Sequence, residues 1–222
     1  MEMRIIFRKS LKNIQDEILV MGSMVSEAIA KSIEALKNRD LILANRLIEN
    51  DAIINKKRFY IEEKCVQLIN TQQPVASDLR IILAALNIIV DMERIGDYAK
   101  SIARITVEIG DEPPLKPLID IPRMADKAID MLRRSLKSYI NLDAEMAIEI
   151  AKEDDEIDSL YDQIYRELIL LMVSDPRAIT RATRLLWVAY NLERTGGRIT
   201  NICERVVYLV TGKMEEIATS KY

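Results

Sequence analysis

Every position from Leu79 to Val90 is apolar except Arg80 and Asn87, with no proline and no strict alternation, so the stretch reads as helix. A helix that is apolar all round is a central one. Further along the same helix come Asp91, Glu93, Arg94 and Asp97. Carboxylates out of reach of water must be paired, protonated or bound to a cation, so this conflict marks the first place to look for chemistry.

The rest of the chain is punctuated in the same way. Leu11, Ile14, Ile18, Met21, Val25, Ala28, Ser32 and Ala35 step by three and four, which predicts a first helix over about 6–37. Asn38-Arg-Asp40 is a turn in which Asp40 can cap a second helix, running to about Asn70 and ended by Thr71-Gln-Gln-Pro74. The central helix is the third; it runs to about Ile109, with Gly110 at its C-cap. Pro113, Pro114, Pro117 and Pro122 then form the one proline-rich linker. Pro122 suits the first turn of a fourth helix reaching about Ile140. After Asn141-Leu-Asp143 a fifth helix is expected to run unbroken to Val173. Ser174-Asp-Pro176 turns the chain into a sixth helix, which ends near Val210.

The halves repeat. At an offset of 103, Ser32, Asn38, Asp40, Ala44, Asp51 and Ile54 fall on Ser135, Asn141, Asp143, Ala147, Asp154 and Ile157. In the third helix of each half the offset is 100, and Leu86, Glu93, Arg94, Gly96 and Ile102 fall on Leu186, Glu193, Arg194, Gly196 and Ile202. Three helices per repeat with short connections predict an all-α protein of two tandem three-helix bundles, over 1–110 and 123–222, joined by a linker at 111–122.

Composition agrees: 222 residues, 49% hydrophobic and 30% charged, with only six glycines and six prolines. The net charge of −3 and the absence of a basic block give nucleic acid no electrostatic footprint. There is no histidine, which removes His-based triads and the Glu-x-x-His di-iron bundle, and no P-loop or dinucleotide fingerprint. Two isolated cysteines, Cys65 and Cys203, indicate a reducing compartment. No signal-peptide core opens the sequence, and its longest apolar run, about twelve residues, is short of the roughly twenty that span a bilayer, so a cytoplasmic protein is expected.

The candidate chemistry lies in carboxylates at matched heights. Asp51 and Asp97 are equidistant from the turn residue Pro74, as are Asn55 and Glu93. Asp154 and Gly197 are equidistant from the Asp175–Pro176 turn, as are Asp158 and Glu193. Residues at i and i+4 share a helix face. Each hairpin therefore sets two such pairs across from one another, Asp51/Asn55 and Glu93/Asp97 in the first repeat and Asp154/Asp158 and Glu193/Gly197 in the second, and the acids among them are Asp51, Glu93 and Asp97, and Asp154, Asp158 and Glu193. Clustered carboxylates repel unless a cation neutralises them, and oxygen donors favour iron, manganese, magnesium or calcium. The plainer explanation is a solvated helix surface with salt bridges to Arg94, Arg194 or lysines. Against it stand the repetition of the mirror relation and the apolar sequence around it. Trp187 and the tyrosines read as core or interface, and Arg80 as a cap or local ion pair. The Met21-Gly22-Ser23-Met24 break has no evident role.

Asp78-Leu-Arg80 followed by Glu93-Arg-Ile-Gly-Asp97 resembles the PhoU family, phosphate-signalling regulators that accompany bacterial and archaeal phosphate transporters. Leu192-Glu-Arg-Thr-Gly-Gly197 is a weaker second copy, so the likeness covers nearly the whole chain. The resemblance implies metal ions at the paired E(D)xxxD motifs, multinuclear in the family, with iron foremost and zinc, manganese or magnesium as alternatives. This chain departs from the motif at Asn55 and Gly197, each standing where the pattern has an acid. The function implied is negative regulation of phosphate uptake and phosphate-starvation signalling, without a reaction of its own. The implied partners are a phosphate ABC transporter ATPase and a sensor histidine kinase, with the membrane reached only through them. The long amphipathic helices suit a homodimer. The competing classes are a metal-dependent hydrolase or carboxylate-bridged iron enzyme, and a structural metal-binding helical protein. No nucleophile or open coordination position favours an enzyme.

Overall fold

The computed structural model describes residues 2–213 and 216–217, and all the regular structure among them is helical. Helices α1 (Glu2–Asn38), α2 (Leu41–Gln72) and α3 (Ser77–Ile109) form the first bundle. The second is α4 (Asp120–Asn141), α5 (Ala144–Lys152), α6 (Asp154–Ser174) and α7 (Ile179–Thr211), with one 3-10 turn at Pro176–Ala178. The turn chemistry is as expected. The Asp40 carboxylate accepts from Leu43 N–H at 2.8 Å and that of Asp143 from Met146 N–H at 2.9 Å. Gly110 ends α3 at φ +65°, its N–H donating to Thr106 C=O. Pro113, Pro114 and Pro117 lie in the connection after α3, and Pro122 in the first turn of α4.

One expected helix is two. The fifth breaks at Glu153, where the N–H groups of Glu153 and Glu156 reach back three residues, to Ile150 and Glu153, at 3.0 and 3.1 Å. The residue at the break is held from another helix, since Lys127 and Arg134 of α4 both bind the Glu153 carboxylate. The break starts a fresh N-terminus just where Asp154, Asp155 and Glu156 follow one another, and a helix N-terminus accommodates negative charge.

The bundles pack through α3 against α7, with α1 against α4 beside them, and one hydrophobic cluster runs through both halves. α3 buries Ile82, Ile88, Ile89, Met92, Ile95 and Ile102, but it is not covered all round: Leu83, Asn87, Val90 and Arg94 form one stripe that faces solvent. It runs antiparallel to α7, and polar contacts mark the register. Arg80 reaches Gly212 at one end, Arg198 and Asn201 meet Asp91 at 3.2 and 3.4 Å near the middle, and Arg184 lies 3.9 Å from Glu108 at the other end. That register sets Gly96 level with Gly196. Burial drives the Asp91 carboxyl upward, opposed by its bonds to Asn201 and Arg198. Among the described residues no helix is long and apolar enough to cross a membrane.

Gly22 has a packing role. Leu136 Cδ1 of α4 fills the place where a Cβ on Gly22 would stand, so the Leu136 side chain packs directly onto the α1 backbone there. Gly22→Val is expected to lower stability by about 1–3 kcal/mol through overpacking. In a Leu136→Ala background the added loss should shrink, which a urea-denaturation double-mutant cycle reads directly. Equal losses in both backgrounds would remove the assigned contact.

Candidate metal centre

In the first repeat α2 carries Asp51 and Asn55, and α3 carries Glu93 and Asp97. Asp51 is only 5% exposed, and Lys100 Nζ donates to its Oδ2 at 2.6 Å, joined by Asn55 Nδ2 at 3.1 Å. Asp97 turns aside to Arg94, whose Nη1 donates to it at 3.3 Å, while Arg94 Nε lies 3.6 Å from Glu93 Oε2. The partner of Asp51 across the hairpin is therefore Lys100, one turn beyond Asp97. Side chains lean toward the N-terminus of their own helix, so in an antiparallel pair the tips meet away from the level of their backbones.

In the second repeat the break at Glu153 opens α6 on Asp154, with Asp158 one turn on, and Glu193 comes from α7. Asp154 is 8% exposed, and its Oδ1 occupies the place of a Cβ on Gly196, three residues from Glu193. Any side chain at Gly196 would push the carboxylate out, and Ile157 Cδ1 closes the same spot at 3.1 Å. Its other oxygen accepts from Thr200 Oγ1 at 3.2 Å. Burial, then repulsion from Asp158, pushes the Asp154 carboxyl up to about 7 against the Thr200 bond, with Glu193 and Asp155 adding to the rise. Asp158 is raised by burial and by Asp155 and Asp162. Glu193 is raised by burial, with Arg194 opposing and Asp158 adding. Around Gly197 there is open space within 4 Å.

Among the described residues no three Asp, Glu, His or Cys side chains converge closely enough to hold one ion as they stand. The donor set nevertheless suits a hard cation. Asp51 Oδ1, Asn55 Oδ1 and Glu93 Oε2 in one repeat, and Asp154 Oδ1 and Glu193 Oε2 in the other, are buried without a hydrogen-bond partner on the protein. Soft ligands do not contribute, since burial pushes the Cys65 and Cys203 thiols up to about 12. Lys100 and Thr200 are the residues that the carboxylate pattern passed over. Their signal was present: they are repeat equivalents, seven residues beyond Glu93 and Glu193 on the same face. Trp187 is also not core. It is 62% exposed and lines, with Tyr161, Leu186 and Tyr190, a groove between α3, α6 and α7.

The PhoU domain family model matches residues 18–106 and 121–206, one copy in each repeat. The chain is 38% identical over 215 residues to the phosphate-specific transport system accessory protein PhoU homolog of Clostridium acetobutylicum, spanning 96% of this chain and 98% of that protein. Its structure is similar to the crystal structure of PhoU from Pseudomonas aeruginosa, at 33% identity and a TM-score of 0.88 over 93% of this chain and 100% of that one. The phosphate transport system regulatory protein PhoU from Streptococcus pneumoniae is similar at 31% identity and a TM-score of 0.88, over 94% and 99%.

Asp154 makes metal-free stability depend on pH. Its carboxyl titrates near 4 in an unfolded chain and at about 7 here, so its burial is tolerated at low pH and stability falls as pH rises between those values. At ~1.4 kcal/mol per pH unit the ceiling is about 4 kcal/mol. With chelator present, Asp154→Asn should gain stability over the parent at pH 8 and little at pH 4 in urea denaturation. A gain independent of pH would show that this carboxyl does not titrate in the window.

Proposed function

Because the chain belongs to the PhoU family, we propose that it is an accessory protein of a phosphate-specific transport system. In this reading it acts as a cytoplasmic negative regulator of phosphate uptake and phosphate-starvation signalling. It works by contact with the transporter ATPase and a sensor histidine kinase, as a homodimer and without catalysis of its own. The observation that carries the reading is the family match in both repeats, together with a relative of that name aligned over almost its entire length. The exposed Trp187–Tyr190 groove suits a protein that works by contact, since exposed aromatics are enriched where partners dock.

On the same reading the carboxylates hold metal ions, iron foremost, through Asp154, Asp158 and Glu193 and through Asp51, Glu93 and Asp97. The unpartnered buried oxygens support this part of the proposal.

Two measurements test these statements. The purified chain should capture a phosphate-transporter ATPase or phosphate-sensing kinase and show no phosphatase or oxidase turnover when loaded with metal. Robust turnover abolished by Glu93→Ala would overturn the non-enzymatic reading. Separately, Gly197→Asp adds an acid into open space. It should tighten metal binding in the second repeat, with stabilisation by metal approaching about 2.7 kcal/mol at a hundredfold excess over the dissociation constant. Unchanged affinity in calorimetry would remove Gly197 from the site.

A further inference from the structure

The repeats differ at one matched position. Asp51 and Asp154 are equivalent, both more than nine-tenths buried, and Lys100 and Thr200 are equivalent on the facing helices. Lys100 Nζ donates to Asp51 Oδ2 at 2.6 Å, whereas Thr200 Oγ1 donates to Asp154 Oδ2 at 3.2 Å. One repeat thus carries a fixed ammonium on the buried carboxylate, and the other only a neutral hydroxyl. Arg94 adds a second cation beside Glu93 and Asp97 in the first repeat. Both repeats keep buried oxygens without a hydrogen-bond partner on the protein, Asp51 Oδ1 and Glu93 Oε2 in the first and Asp154 Oδ1 and Glu193 Oε2 in the second, so the difference between them is the cation already present in the first.

We propose that Lys100 is a built-in counter-cation that competes with a metal ion in the first repeat, so that a divalent cation is bound tightly only at Asp154, Asp158 and Glu193 in the second and weakly at Asp51, Glu93 and Asp97. The inference rests on the metal-binding reading of the carboxylate clusters and goes beyond it by making them unequal. A like charge within hydrogen-bond distance of a ligand carboxylate opposes a second cation, while a buried carboxylate with only a hydroxyl to answer it favours one. The first cluster is then a lock between α2 and α3 that needs no metal, and the second a site whose state follows metal supply.

The test titrates chelator-stripped full-length protein with Mn²⁺, reading stoichiometry by calorimetry and the bound ion by electron paramagnetic resonance. One tight centre per chain is expected, lost in Asp154→Asn and kept in Asp51→Asn. Lys100→Thr, which copies the second repeat, should add a centre or raise first-repeat affinity at least tenfold, and adding Asp51→Asn to it should remove that gain. Lys100→Arg keeps the charge and should keep the parental stoichiometry. Thr200→Lys, the converse exchange, should abolish the second-repeat centre. A readout independent of stoichiometry is thermal: Lys100→Thr should melt lower than the parent in chelator and recover more than the parent on adding Mn²⁺. Mn²⁺ bound equally at both repeats of the parent, or stoichiometry and first-repeat affinity unchanged by Lys100→Thr and Thr200→Lys, overturns the proposal while leaving metal binding standing. No Mn²⁺ bound by any variant overturns both.

Discussion

The antiparallel contact of α3 with α7 is what the rest of the molecule depends on. Most of the circumference of α3 is apolar, more than its own bundle covers, so it packs a second face against α7 and the two halves share one core. Apolar packing sets no unique sliding position for two long helices. The buried pair Asp91–Arg198 with Asn201 does, flanked by Arg80 at Gly212 and Arg184 at Glu108. Polar contacts in an apolar seam are costly when misaligned, which makes them selective for register.

Among the described residues three carboxylates are buried, and each is compensated differently. Asp91 has a guanidinium and an amide, Asp51 an ammonium and an amide, and Asp154 a hydroxyl alone. The cost of an uncompensated buried charge rises steeply as partners are removed, so the last of the three is where the protein holds an unmet demand for positive charge. The two matched hairpins thus hold one ion pair, Lys100–Asp51, and one buried carboxylate answered by a hydroxyl. Gly196 makes the latter possible, because only a residue without a side chain lets the Asp154 carboxylate rest against α7.

The helices and the repeat were legible because long amphipathic helices write their period many times over, and a cap such as Asp40 or Asp143 is a local matter. The break at Glu153 was not, because the contacts that hold that residue come from Lys127 and Arg134 on α4. The acids of the candidate site were legible as a mirror relation about each turn. The partner of Asp51 was not, since equal distance from a turn predicts backbone height and not where two leaning side chains meet. That offset moved the contact from Asp97 to Lys100. Whether Trp187 is core or interface was equally hidden, since a lone aromatic at helical spacing suits both until neighbouring helices are in place, and its exposure excludes core.

The position of that residue has a practical consequence. Trp187 is the only tryptophan in the chain, and its indole stands mostly in water beside Tyr161 and Tyr190 at the edge of an open groove. A ring so exposed is expected to emit close to the wavelength of a solvated indole, with a modest red shift on unfolding. Anything that settles into the groove excludes water from the ring and should move the emission to the blue. The chain's one indole is thus placed to report optically on what occupies the groove.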